Sequence, residues 1–192
     1  MAMHTELWFP SVIWSSMTHM IDNTALKHWA YDRKKNDVGR VISNYNGYQS
    51  SDIIPGDHNE IDKLVEHLDK EVASCAKQVG LAELQIYNIW LNINPPHSYN
   101  HLHNHIGSVL SGVYYIDSEP QQGNLQFERT DGAEYHIPEY VEKDTYFTST
   151  RATYAAKTGG LYIFPSWMKH SVQGNKSNRD RLSLAFNYGE IR

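Results

Sequence analysis

The segment Leu84–Asn94, L-Q-I-Y-N-I-W-L-N-I-N, alternates with a period of two, and an α-helix has no such period. One face carries Tyr87, Ile89, Leu91 and Ile93; the other carries Asn88, Trp90, Asn92 and Asn94. A strand that is apolar on one side and polar yet aromatic on the other has a core behind it and a wet or ligand-filled space in front. Pro95-Pro96 ends the pattern. Shortly after comes N-H-L-H-N-H-I-G-S-V-L-S-G, in which His101, His103 and His105 occupy alternate positions. If that stretch is a strand, all three imidazoles share a face, and neutral imidazole is a good ligand for Zn, Fe, Cu and Ni. A polar inner face beside a histidine strand predicts a cavity with a metal floor.

The rest of the chain supplies further strands. Residues 7–14, L-W-F-P-S-V-I-W, predict an edge strand that Pro10 limits, and Asp22 or Asn23 caps a helix through Tyr31. Residues 43–52 are rich in Asn, Ser and Gly and predict a loop. From Asn59, apolar residues at Ile61, Leu64, Val65, Leu68, Val72, Cys75 and Val79 recur at helical spacing, with Asn59 as N-cap and Gly80 just past the end. Strands follow over 109–117, 124–128, 161–164 and 181–187, with a less regular Tyr- and Thr-rich insert over 129–157. About seven or eight short strands with turn signals and no βαβ alternation favour a mainly β (α+β) fold. The architecture expected is a double-stranded β-helix, or jelly roll, braced by N-terminal helices. One domain over 1–192 is expected, with helical support mainly over 17–80 and a β-core at about 84–187.

Charge and composition exclude several classes. A net charge of −5 with no basic run argues against a nucleic-acid binder. No apolar run approaches the ~18 residues of a membrane span, and the first residues lack a signal-peptide pattern, so a cytoplasmic protein is expected. The lone Cys75 sits in the helical pattern and reads as a core residue.

Near the C-terminus, F-P-S-W-M-K-H supplies His170, and R-L-S follows with Arg181 and Ser183 on one face of a strand, where guanidinium and hydroxyl suit one carboxylate. Taken together, N-x-x-H-x-H, L-S-G-V-Y-Y, F-P-S-W-x-x-H and R-x-S-x-A-F-N make the chain resemble a 2-oxoglutarate- and Fe(II)-dependent oxygenase, most closely a bacterial and phage branch. The resemblance implies Fe(II) held by His103, His105 and His170, and the far carboxylate of 2-oxoglutarate held by Arg181 and Ser183. Trp90, Asn92 and Tyr115 are weaker candidates for the cosubstrate pocket. It also implies O2 and an unidentified substrate, a small molecule or a protein side chain, as partners, with a homodimer left open.

The chain departs from the resemblance at one ligand, since most of the superfamily has Asp or Glu where His105 stands. Asp117 and Glu128 are carboxylate alternatives, and His101 is the rival if the register shifts. A histidine-only site is expected to lose its metal as the imidazoles charge near ~6.5. Two other readings compete: a three-histidine cupin oxygenase that needs no 2-oxoglutarate, and a non-catalytic metal- or sugar-binding jelly roll. The first lacks its expected Glu after H-x-H and would not need R-x-S, and saturable 2-oxoglutarate binding separates both from the oxygenase reading.

Overall fold

A computed structural model describes residues 3–190. Its strands are β1 (Trp14–Met17), β2 (Asn44–Tyr45), β3 (Tyr48–Gln49), β4 (Leu84–Asn94), β5 (Tyr99–His103), β6 (Leu110–Asp117), β7 (Leu125–Glu128), β8 (Arg151–Tyr154), β9 (Gly160–Pro165), β10 (His170–Val172) and β11 (Arg181–Glu190). Two helices, α1 (Asn23–Asn36) and α2 (Asn59–Gln78), lie in the first part of the chain. The major sheet runs β1-β9-β6-β11-β4-β3 and the minor sheet β2-β5-β10-β7-β8, with all pairs antiparallel. Two antiparallel sheets facing each other over a cavity are the expected jelly roll.

Alternation along β11 divides the interior in two. Leu182, Leu184, Phe186 and Tyr188 face the helices and join Leu64, Leu68 and Val72 of α2, Leu26 of α1, and Ile89, Leu91 and Ile93 of β4. Each such side chain, once buried, contributes about 1.5–3 kcal/mol. Between the sheets lies a smaller aromatic core of Tyr115, Leu125, Phe127, Tyr162, Phe164 and Met168. Among the described residues, no helix is long and apolar enough to cross a membrane.

Several sequence expectations need correction. β1 begins at Trp14, where residues 7–14 were expected to form the strand; Leu7, Trp8 and Phe9 are exposed, and Phe9 has φ 58°. The edge position does hold. α1 runs past Tyr31 to Asn36 because Arg33, Lys34 and Lys35 suit a helix C-terminus and Arg33 pairs with Asp37 and Asp57. Its cap is Asp22, whose carboxylate accepts from the amides of Thr24 and Ala25. For α2 the cap is His58, one residue before Asn59. Residues 43–52 are more than a loop, since β2 joins the minor sheet and β3 the major one. The insert hides β8, which pairs with β7. In β4 a bulge opposite Asn187/Tyr188 reverses the facing, so Ile86 packs on the core while Tyr87 is 72% exposed.

Candidate active site

Only two of the three clustered histidines of the first motif reach the cavity. His170 in β10 pairs with His103 in β5, yet Val172 pairs with Asn100, so β5 carries one extra residue between these points. That bulge puts His103 and Asn100 on the cavity wall while His101 is exposed, set edge-on against Tyr99 and Tyr45. A period of two from Asn100 onward therefore misplaces His101, and His105 sits in the loop beyond β5 rather than in the strand. Its loop is pinned by its own amide, which donates to the Ser166 carbonyl at 3.0 Å.

His103, His105 and His170 each offer one ligand atom, and these atoms all lie within 4.8 Å of one another. Ring centroids are 4.3 Å apart for His103 and His170, 5.0 Å for His105 and His170, and 5.2 Å for His103 and His105. Every ring gives its Nδ1–H to an oxygen: His103 to the His101 carbonyl at 2.7 Å, His170 to the Met168 carbonyl at 3.0 Å, and His105 to Asn187 Oδ1. A backbone carbonyl has no proton to give, so Nδ1 must be the donor and the Nε2 lone pair remains for a metal.

Burial lowers the pKa of all three histidines. It is the largest cause in each case, and it pushes His105 down to about 4 and His170 to about 3. The set is therefore neutral at pH 7, and in the metal-free protein the imidazoles charge below the reference value of ~6.5. Asp117 and Glu128 lie outside the group: Asp117 pairs with Lys27 and Arg179, and Glu128 with Arg151. Three imidazoles without a carboxylate fit a first-row divalent ion through their nitrogens, though they leave its charge uncompensated.

Further along the same cavity lie Trp90, Asn92, Tyr115, Arg181 and Ser183, which the strand registers bring together; the cavity encloses about 520 Å³ counted out to its mouth. Arg181 is 1% exposed, and among the described residues it has no carboxylate partner. Its Nη1 instead donates to the carbonyls of Gln122 and, at 3.3 Å, Gly123. Burial lowers its pKa, and an unpaired charge in such a place costs several kcal/mol. The Tyr115 hydroxyl is buried without a hydrogen-bond partner, and burial pushes it up to about 12, so it keeps its proton. An orphaned hydroxyl and a cationic guanidinium facing one space fit an incoming carboxylate.

Two contributors escaped the sequence reading. Gly123 has φ +88°, and a Cβ there would lie 1.9 Å from the Gln173 carbonyl and 2.9 Å from Arg181 Nη1, so only glycine lets the chain cradle the guanidinium. The P-Q-Q-G turn was the available signal. Asn187 is the other, and its signal was the last letter of A-F-N.

A family model described as "Putative 2OG-Fe(II) oxygenase" matches residues 88–187, which is 100 of the 192 residues. The chain belongs to that 2OG-Fe(II) oxygenase family. As an oxygenase of this family it uses Fe(II), 2-oxoglutarate and O2 to oxidise a substrate. Among curated proteins, none matches. Solved structures resemble it in fold. A Pseudomonas putida prolyl-4-hydroxylase is 17% identical with a TM-score of 0.68, over 95% of this chain and 94% of that one. The viral collagen prolyl hydroxylase of Paramecium Bursaria Chlorella virus-1, solved with 2OG, is 12% identical with a TM-score of 0.63, over 93% and 96%. A Trichoplax adhaerens prolyl hydroxylase, solved with a peptide fragment of the hypoxia inducible factor oxygen degradation domain, is 12% identical with a TM-score of 0.65, over 92% and 83%. These likenesses establish the double-stranded β-helix, and nothing in them favours the cupin or the non-catalytic alternative.

Proposed function

We propose that residues 1–192 form a single oxygenase domain, with helical support mainly over 17–80 and a β-core at about 84–187, that hydroxylates a protein or peptide side chain. In this proposal His103, His105 and His170 hold the iron, Arg181 and Ser183 hold the far carboxylate of 2-oxoglutarate, and Trp90, Asn92 and Tyr115 line the cosubstrate pocket. The observation that carries it is a shared cavity: convergent imidazoles with fixed tautomers stand beside a buried guanidinium that has no anion.

Bound iron supplies the redox chemistry that couples decarboxylation of 2-oxoglutarate, giving succinate and CO2, to insertion of one O2 oxygen into a substrate C–H bond. The chain's own residues bind, orient and exclude water. Neutral imidazoles bring no negative charge, so a dianionic cosubstrate supplies what the ligand set lacks. Arg181 holds one end, and its backbone carbonyl supports fix the guanidinium before the anion arrives. Tyr115, which keeps its proton, offers its O–H as a hydrogen-bond donor to the same carboxylate. Phe164 and Phe127 pack on His170, with ring centroids 4.7 and 5.8 Å away, and keep that wall dry.

The substrate class rests on weaker support. Two similar structures above are prolyl hydroxylases of known origin solved with cosubstrate or peptide. The insert between β7 and β8, rooted where the Glu128 amide meets the Lys169 carbonyl beside His170, exposes Tyr135, Tyr140 and Tyr146. Exposed tyrosines suit an extended peptide better than a closed pocket would. A cytoplasmic setting is part of the proposal, supported by the single buried Cys75.

Succinate formation tests this reading. With Fe(II), 2-oxoglutarate and O2, a peptide panel should raise succinate output and one peptide should gain one oxygen atom. Stimulation by small molecules alone would overturn the peptide class, and no succinate under any condition would overturn the hydroxylase.

A further inference from the structure

His103 and His170 rest their Nδ1–H on backbone carbonyls, which no substitution removes; His105 alone rests on a side chain, the buried Asn187 of β11. That amide is held from both ends. Its Oδ1 accepts from Ser111 Oγ at 2.6 Å, and its Nδ2 donates to Asn88 Oδ1 at 2.8 Å. Ser111 spends its one proton on Asn187, so Ser166 Oγ, 2.7 Å away, is the donor to Ser111. Ser166 is the same residue whose carbonyl takes the His105 amide. Proton direction is thus fixed from Ser166 through Ser111 to Asn187 Oδ1, which faces His105 as an acceptor only.

We infer that Asn187 is a positioning residue for the metal site: it selects the Nδ1–H tautomer of His105 and turns Nε2 toward His103 and His170. This rests on the three-histidine metal reading and deepens it. A free imidazole leaving β5 for a loop has two tautomers and a rotatable ring; the amide, locked by Ser111 and Asn88, leaves one arrangement. The neutral acceptor also keeps the site free of a buried anion in the absence of metal, where Asp would need a counter-charge. Asn187→Asp still accepts from His105, and Asn88 can turn its amide to donate to the new oxygen.

The test is Co(II) titration of metal-free protein, read by visible absorption and by NMR of the paramagnetically shifted, exchangeable imidazole N–H signals. Wild type should show three such signals, one per Nδ1–H. Asn187→Leu, which keeps the branched shape without the acceptor, should weaken Co(II) binding by roughly 10–100-fold, the usual effect of losing such a hydrogen bond behind a ligand. It should also lose one signal to solvent exchange. Asn187→Asp should restore both the affinity and the third signal, which a purely structural role for Asn187 would not require. Asn187→Leu with wild-type affinity and three signals would overturn the inference. If Asn187→Leu fails to fold, Asn187→Asp decides: three signals support the role and two overturn it. Wild type that takes up no Co(II), or takes it up equally after His170→Ala, would instead overturn the metal reading itself.

Discussion

The two sheets do different work with the same geometry. In the major sheet, the central strands β4, β6 and β11 are 11, 8 and 10 residues long and carry helices on one face and the residues proposed to hold the cosubstrate on the other. The minor sheet is made of strands of 2 to 5 residues, with Tyr45, His101 and Leu102 exposed on it, and it supplies His103 and His170. Long strands with a covered face are held by apolar burial. Short strands with an open face depend on what binds between them. In the proposed site, the cosubstrate half is held by a packed core before any ligand arrives, and the metal half, built on short strands, is expected to gain protection when an ion binds.

The largest effect that would break this contrast is in the major core. Phe186 is fully buried beside Tyr188, and Phe186→Ala should cost about 3–5 kcal/mol by denaturant unfolding. Leu102→Ala in β5, 50% exposed, should stay within about 0.5 kcal/mol. Equal costs in the two sheets would remove the distinction.

Metal binding should sharpen it. An ion at one hundred times its Kd stabilises whatever binds it by about 2.7 kcal/mol, roughly a 10²-fold rise in protection. Hydrogen exchange should show that rise at β5 and β10 and little change in β4 and β11. Protection spread evenly over both sheets would contradict the account.

Acid should weaken the metal-free protein through the same histidines. Their folded pKa values lie below the unfolded value of ~6.5, so as pH falls the unfolded chain takes up protons first. Stability is then full above about 6.5 and is lost progressively as pH falls toward the folded values of about 4 for His105 and about 3 for His170. Denaturant midpoints of the metal-free protein across that window check the sign, and a midpoint that rises on acidification would contradict it. His101→Ala is the smallest expected effect: metal affinity should stay within about twofold, since the His103 ring hydrogen-bonds to the backbone carbonyl of His101, which the substitution keeps.

Sequence legibility followed the same division. β4 was readable in its bounds and from Asn88 to Asn94, where Ile89, Leu91 and Ile93 face the core and alternate with polar residues, while the bulge at Tyr87 broke the period before that point. Helix α2 was readable for the matching reason at period 3.6. β2, β8 and β10 were not, because two to four residues hold too few periods to declare a face. His101 misled because a bulge adds one residue without any mark in composition. His170 and Arg181 were legible only by motif, because their neighbours across the cavity come from β5 and from the turn at Gln122, far away in sequence. Asn187 was invisible as a partner of His105 because a single Asn in an apolar strand reads as alternation alone.

The central claim is a cosubstrate site completed by metal on one side and Arg181 on the other. Calorimetric titration of 2-oxoglutarate into Co(II)-loaded protein without O2 tests it most directly. The account predicts saturable binding of one 2-oxoglutarate per chain that is lost after His170→Ala and weakened roughly 10²-fold or more in Arg181→Ala, the loss of a buried charge-assisted pair. Unchanged affinity in Arg181→Ala, or no saturable binding to the loaded wild type, would contradict it.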